Sequence, residues 1–149
     1  TIGIDNSNSL INICNQIGLN VILGDICNID FINTQFDNVL CIAVLHHLST
    51  DKNRQTALHN LYKLCKKGGS ILITVWSYEC EWNENVSHYK RKFIPGDNII
   101  YWKHQDERYY YIYTHEILIT FIENAKKELH FEYTLEWEEQ NWVITIFKM

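Results

Sequence analysis

Short β-branched runs alternate along the chain with segments of helical periodicity. Residues 1–5, 20–24, 36–42 and 70–76 read as strands, the third a nearly continuous apolar run of the kind covered on both faces. Between the first two, Leu10, Ile13, Cys14 and Ile17 fall on one face of a helix over 9–18, capped from the polar turn Asn6-Ser7-Asn8-Ser9. After the third strand, Ser49-Thr50-Asp51 opens a second helix, with Ala57, Leu58, Leu61, Leu64 and Cys65 as its stripe. Lys63, Lys66 and Lys67 lie near its negative end, and Gly68-Gly69 reads as its stop. From 77 to 108 the periodicity fails in a stretch that holds Pro95, the single proline, and reads as an irregular insertion. A short strand over 109–113, a helix over 114–125 and two strands over 129–136 and 142–147 follow; Glu138-Glu139-Gln140-Asn141 joins the last two as an antiparallel hairpin. The pattern predicts one α/β domain over 1–149 round a mostly parallel sheet with a C-terminal antiparallel hairpin.

With 149 residues, 46% of them hydrophobic and 21% charged, the chain has the composition of a globular domain, not of a long disordered protein. No apolar run approaches the roughly 20 residues of a spanning helix, and no signal peptide is expected ahead of Thr1. The chain opens on Thr1 directly in a strand, so a fragment is expected. Cys14, Cys27, Cys41, Cys65 and Cys80 never form C-x-x-C, which suggests reduced, mostly buried thiols and no zinc knuckle.

Ligands of open α/β sheets lie beyond the carboxyl ends of the strands. Asp5 ends the first strand, where an acid can accept from both hydroxyls of a ribose, and Asp25 ends the second, where it can accept from an adenine amine with Ile26 on the ring. Ala43-Val44-Leu45 forms an apolar shelf after the third strand, followed by His46 and His47. Two acids about twenty residues apart and an apolar shelf suit an adenosine nucleoside; this spacing does not choose between S-adenosylmethionine and NAD. The adjacent histidines lack the i,i+3 or i,i+4 spacing of metal ligands, so no metal site is expected; one should face the cleft and the other tether the following loop.

The string from Phe36 through Ala43-Val44-Leu45-His46-His47 to Thr50 resembles the corresponding segment of class I S-adenosylmethionine-dependent methyltransferases. More narrowly, three pieces resemble the tRNA methyltransferases that esterify 5-carboxymethyluridine at the wobble position. These are Gly68-Gly69 with its strand and Trp76-Ser77-Tyr78-Glu79, Arg108-Tyr109-Tyr110, and Asn141-Trp142. The resemblance covers nearly the whole chain, most loosely from 80 to 105. It implies a Rossmann-like sheet of order 3-2-1-4-5-7-6 whose first strand and Gly-rich cofactor loop are missing here, which would leave the sheet a central slot. The chain as given is therefore expected to bind cofactor poorly and to melt below an upstream-extended form.

The same resemblance implies S-adenosyl-L-methionine as cofactor, held by Asp5, Asp25, Ile26, Ala43 and Val44. Arg108 would orient the substrate carboxylate, Trp76, Tyr109 and Tyr110 would stack on the extruded uracil, and His46 or His47 would complete the wall. It also implies a tRNA substrate and a small zinc-binding activator subunit, and a cytoplasmic location is expected, with the nucleus as an alternative. Strand addition at the free edge over 20–24 is the expected docking mode. The net charge of −5 is unusual for a tRNA binder, and local patches from Lys63, Lys66, Lys67, Lys90, Arg91, Lys92, Lys103, Arg108, Lys126 and Lys127 are expected instead. A small-molecule methyltransferase and a non-catalytic methyltransferase-like scaffold remain as alternatives.

Overall fold

The computed structural model describes residues 1–79, 93–102 and 106–149, and the chain packs as two compact units, Thr1–Thr34 and Gln35–Met149. Cys80, Lys90, Arg91, Lys92 and Lys103 lie outside the described residues.

In the first unit, β1 (Gly3–Asp5) pairs in parallel with β2 (Val21–Leu23), and α1 (Asn8–Gln16) connects them. Ser7 caps α1 by accepting from the Leu10 N–H, and Gly18, at φ +78°, turns the chain out of it. The apolar stripe expected on this helix is not its buried face. Leu10, Ile13 and Ile17 are 50%, 54% and 69% exposed, whereas Ile11 is buried. Two three-residue strands cover one side of α1, and no described element of this unit covers the other.

In the second unit, β3 (Phe36–Ile42) pairs in parallel with β4 (Cys65–Trp76), to which β8 (Asn141–Lys148) adds antiparallel, and β7 (Phe131–Glu138) lies outermost. Helices α2 (Asp51–Leu64) and α3 (His115–Lys126) supply Leu58, Leu61, Leu118 and Ile122 to the core formed with Ile71, Ile73, Ile144 and Ile146. Alternation is plain in β4, where Ile71, Ile73 and Val75 are buried and the residues between them are not. Contrary to expectation, β3 is not covered on both faces: Cys41 is buried, but Leu40 is 68% exposed and Ile42 50%.

Two boundaries differ from the sequence pattern for identifiable reasons. Helix α2 ends at Leu64, and Cys65 already pairs with Phe36 as strand. Gly68 and Gly69 serve an irregularity in the β3–β4 ladder and not a helix stop; a Cβ on Gly69 would stand 2.5 Å from the Asp37 carbonyl oxygen. The insertion is not irregular throughout, because β5 (Gly96–Trp102) pairs antiparallel with β6 (Asp106–Ile112), which begins before the expected residue 109. The predicted C-terminal hairpin is present and turns through Glu139 and Gln140 at φ 44° and 74°, the twist-matched geometry of two-residue hairpins.

Candidate active site

The candidate residues divide between the units. In the first, the parallel pairing of β1 and β2 sets Asp5 level with Leu23, so Asp5 and Asp25 follow adjacent strand ends. The Ser7 N–H donates to Asp5 Oδ1 at 2.8 Å, which fixes the carboxylate and leaves its second oxygen for the hydroxyls of a ribose. Asp25 Oδ1 accepts the Cys27 N–H at 2.8 Å, and burial, then the nearby Asp25 carboxylate, push the Cys27 thiol up. Both acids therefore fit the adenosine half of a nucleoside cofactor, and Ile26, half-buried, follows Asp25 directly. Gly24 sits between these strand ends under Phe31, whose ring would be 2.4 Å from an added Cβ.

In the second unit, the chain leaves β3 through Ala43 at φ 56°, a left-handed conformation held by the Ala43 N–H donating to Thr74 O and Oγ1. Val44 then leads into a single 3₁₀ turn, Leu45–His47. His46 is buried, and its Nδ1 accepts the Trp76 N–H at 3.2 Å. Burial, and secondarily His47, push its pKa down to about 3, so the ring is neutral and carries its proton on Nε2. His47 Nδ1 donates to the Tyr109 carbonyl at 3.2 Å and ties the loop to β6. Thus His47 is the tether, while His46 lies in the wall beneath Trp76.

The rings of His46, His47, Trp76 and Tyr110 form one cluster: Tyr110 stacks on Trp76 at 4.4 Å and on His46 at 5.4 Å, and meets His47 edge-on at 4.4 Å. Tyr110 is buried, with Ile100 and Ile112, under Trp76, Tyr78 and Phe93. It therefore supports Trp76, which keeps partial exposure and is the ring available to a base.

Strand alternation separates the tyrosines. Tyr110 and Ile112 face the Trp76 cluster, with Arg108 on the same parity and exposed. Tyr109, Tyr111 and Tyr113 face the other way, onto Arg54 and α3. Tyr109 and Tyr110 accordingly cannot stack on one base together. The Tyr109 hydroxyl instead donates to Asp97 and receives Arg54 Nη1 at 3.4 Å, and burial with the Asp97 bond raises its pKa to about 12.

Three further residues hold this arrangement: Arg54 and Asp97, which sequence reasoning missed, and Glu79, which it named only as part of the Trp76 motif. Arg54 is buried, donates to Leu48 O at 2.8 Å and lies over the Tyr111 ring at 3.7 Å, pinning the loop and β6 to α2. The signal was present, since Arg54 stands three and four residues before Ala57 and Leu58 on the buried stripe. Glu79 accepts from the Ser77 hydroxyl, the His115 N–H and the Trp142 indole at 2.9, 2.9 and 3.2 Å. Burial would raise this carboxyl, but those donors outweigh it and hold it below its ordinary range. Glu79 thus joins the end of β4, the start of α3 and the start of β8, where two of the motif pieces meet. Asp97 carried no local signal. Among the basic residues, Lys66 pairs with Asp37 and Lys126 with Glu132, each at 2.9 Å, so these two do not present unpaired charge to a polyanion.

Residues 1–73 match a family model described as a methyltransferase domain. A crystal structure of an S-adenosylmethionine-dependent methyltransferase from Methanosarcina mazei aligns over 99% of this chain and 81% of that one, with a TM-score of 0.72 at 14% identity. The fold is that of the class I methyltransferases. Within the units the strand orders are β2-β1 in the first and β3-β4-β8-β7 in the second. The tRNA (carboxymethyluridine(34)-5-O)-methyltransferase of Xenopus tropicalis is 37% identical over 91 residues, 61% of this chain and 14% of that protein. The enzyme of the same name from Arabidopsis thaliana is 44% identical over 80 residues, 54% of this chain and 20% of that protein. The chain thus spans no more than one fifth of the length of those two relatives, which it resembles in sequence.

Proposed function

We propose that this chain is part of an S-adenosylmethionine-dependent tRNA methyltransferase that esterifies the carboxylate of 5-carboxymethyluridine at the wobble position. The observation that carries the reading is the meeting of motif residues, Trp76 on Tyr110 and Glu79 on Trp142, in a chain of which 80 residues align at 44% identity with an enzyme of that name.

When bound, S-adenosylmethionine supplies a methyl group on a sulfonium, and Asp5 and Asp25 with Ile26, Ala43 and Val44 are the residues to hold it. The substrate carboxylate is ionised near neutral pH, so no base is required, and catalysis is mainly positioning. The Arg108 guanidinium grips that carboxylate from the exposed end of the β6 face. Trp76 offers its ring to the uracil, backed by Tyr110 and His46. A neutral His46 adds no cation that would blunt the nucleophile. The zinc-binding activator docks, in this reading, on the outer edge of β2, which pairs with β1 alone among the described residues.

The test is transfer of labelled methyl to tRNA bearing carboxymethyluridine, with the protein from its complete reading frame and its activator, followed by mild alkali. Label released as methanol identifies the ester. Absence of label with the cofactor analogue bound would overturn the tRNA assignment, and absence of binding would leave the scaffold. Arg108→Ala should lose ester formation and keep cofactor affinity; loss of both would remove Arg108 from its role.

A further inference from the structure

The β5–β6 hairpin is a two-stranded sheet of its own. Backbone bonds join it to the end of β4 at Tyr113, whose N–H donates to the Trp76 carbonyl at 3.3 Å and whose carbonyl accepts the Tyr78 N–H at 2.8 Å. Farther up the strand, no other strand among the described residues pairs with it, and side chains hold it instead. Tyr109 is where they grip. Its carbonyl takes His47 Nδ1 at 3.2 Å, and its hydroxyl receives Arg54 Nη1 at 3.4 Å while donating to Asp97. Donation into the phenol oxygen strengthens the bond its proton makes, so Arg54, Tyr109 and Asp97 act as one chain.

Arg54 ties that chain to α2, and methyl transfer as proposed gives this cation no task. It is 5% exposed, and the carboxylate it meets, Asp51 at 3.9 Å, is 77% exposed and screened by water, so the hydrogen bonds decide where the guanidinium sits. Its plane lies on the Tyr111 ring at 3.7 Å while its edge donates to Leu48 O at 2.8 Å and to Tyr109; an ammonium cannot stack and fork at once. Leu48 directly follows His46 and His47, so one side chain fastens both the histidine loop and β6. Strand alternation turns both neighbours of Tyr109, Arg108 and Tyr110, to the opposite parity, where Tyr110 stacks on Trp76. Any shift of Tyr109 therefore carries Arg108 and Tyr110 with it.

We infer that Arg54 is a positioning residue for methyl transfer, which acts through Tyr109 to set Arg108 and the Tyr110–Trp76 stack against the substrate. The inference rests on the proposed role of Arg108. It assigns Arg54 to alignment of the carboxylate and not to cofactor affinity.

The test uses the protein from its complete reading frame, with its activator and tRNA bearing carboxymethyluridine. Arg54→Lys keeps the charge but cannot stack and fork; Tyr109→Phe removes only the hydroxyl and serves where the first variant fails to fold. Either should lower kcat about tenfold and leave the KM for S-adenosylmethionine unchanged. Amides of residues 107–111 should exchange about fivefold faster, with those of 71–75 unchanged. The deciding comparison is made in Arg108→Lys, which meets a carboxylate with a point charge. There, adding Tyr109→Phe should lower kcat by no more than about twofold further, because the alignment it protects is already lost. A full loss in that background, a wild-type kcat in both single variants, or unchanged exchange at 107–111 overturns the positioning role. A wild-type protein that transfers no label to this tRNA overturns the wobble-uridine reading itself, and this role with it.

Discussion

The two units differ in how completely they are built. The first buries Ile11 and Ile29 and exposes Leu19, Leu23 and Phe31 besides the outer residues of α1. The second closes its sheet with two helices and holds the remaining buried core. Thirty-odd residues cannot bury enough apolar surface to hold three-residue strands firmly. Yet Asp5 and Asp25, the acids suited to a nucleoside cofactor, belong to the first unit, and the ring cluster proposed for substrate belongs to the second. In the proposed function, cofactor capture would draw on the weaker part, as ligand-binding elements commonly do, and the substrate would meet the better-packed one.

Hydrogen exchange should show the contrast most strongly. Amides of Val21–Leu23 should exchange about a thousandfold faster than those of residues 71–75; similar rates would mean that the first unit has cover the second does not need. The next effect is confined to the second unit. His46→Leu strands the Trp76 N–H and should cost about 2 kcal/mol in denaturant unfolding followed at residues 71–75, without changing exchange at 21–23.

Acid acts through the same group. His46 titrates near 6.5 when unfolded and about 3 when folded, so its unfolded form binds the extra proton between those values. Stability of the second unit should be unaffected by this group above pH 6.5 and fall by up to about 1.4 kcal/mol per pH unit below it, levelling near pH 3. The first unit contains no histidine, so lowering the pH from 7 to 5 should narrow the exchange gap. Smaller still, Glu79→Gln leaves one oxygen where two served three donors and should cost about 1 kcal/mol, measured by thermal melting. Smallest is a gain: Gln140→Gly relieves a left-handed turn position and should add about 0.5 kcal/mol to the second unit alone.

Local pattern was sufficient for β3, whose limits agree with the apolar run at 36–42, and for α2 and α3 apart from their ends. It failed where distant chain decides. Cys65 to Lys67 has helical spacing but is claimed by pairing with β3, and β5 exists only because β6 lies against it. The candidate site was legible in its motif residues, because strand ends are fixed by topology. Its internal geometry was not: that Tyr109 and Tyr110 serve opposite faces follows from strand parity, whereas Glu79 joining Trp142 spans sixty-three positions.

The two-sided character of β6 has a consequence for how this protein can change over generations. Substitutions at even positions alter the Trp76 side and substitutions at odd positions the Arg54 side, so each changes the chemistry of one face at a time. Loss or gain of a single codon inside the strand would exchange them at once, delivering Tyr109 to Trp76 and Tyr110 to Arg54. Both sides are tyrosine-rich, so hydrophobic pattern alone would scarcely resist that exchange. The side chain of Asn98 does not oppose it, because its bonds to Ile94 and Gly96 stay on its own strand. What opposes it is the backbone pairing of β6 with β5 and the single residue parity that buries Tyr110 and Ile112 together.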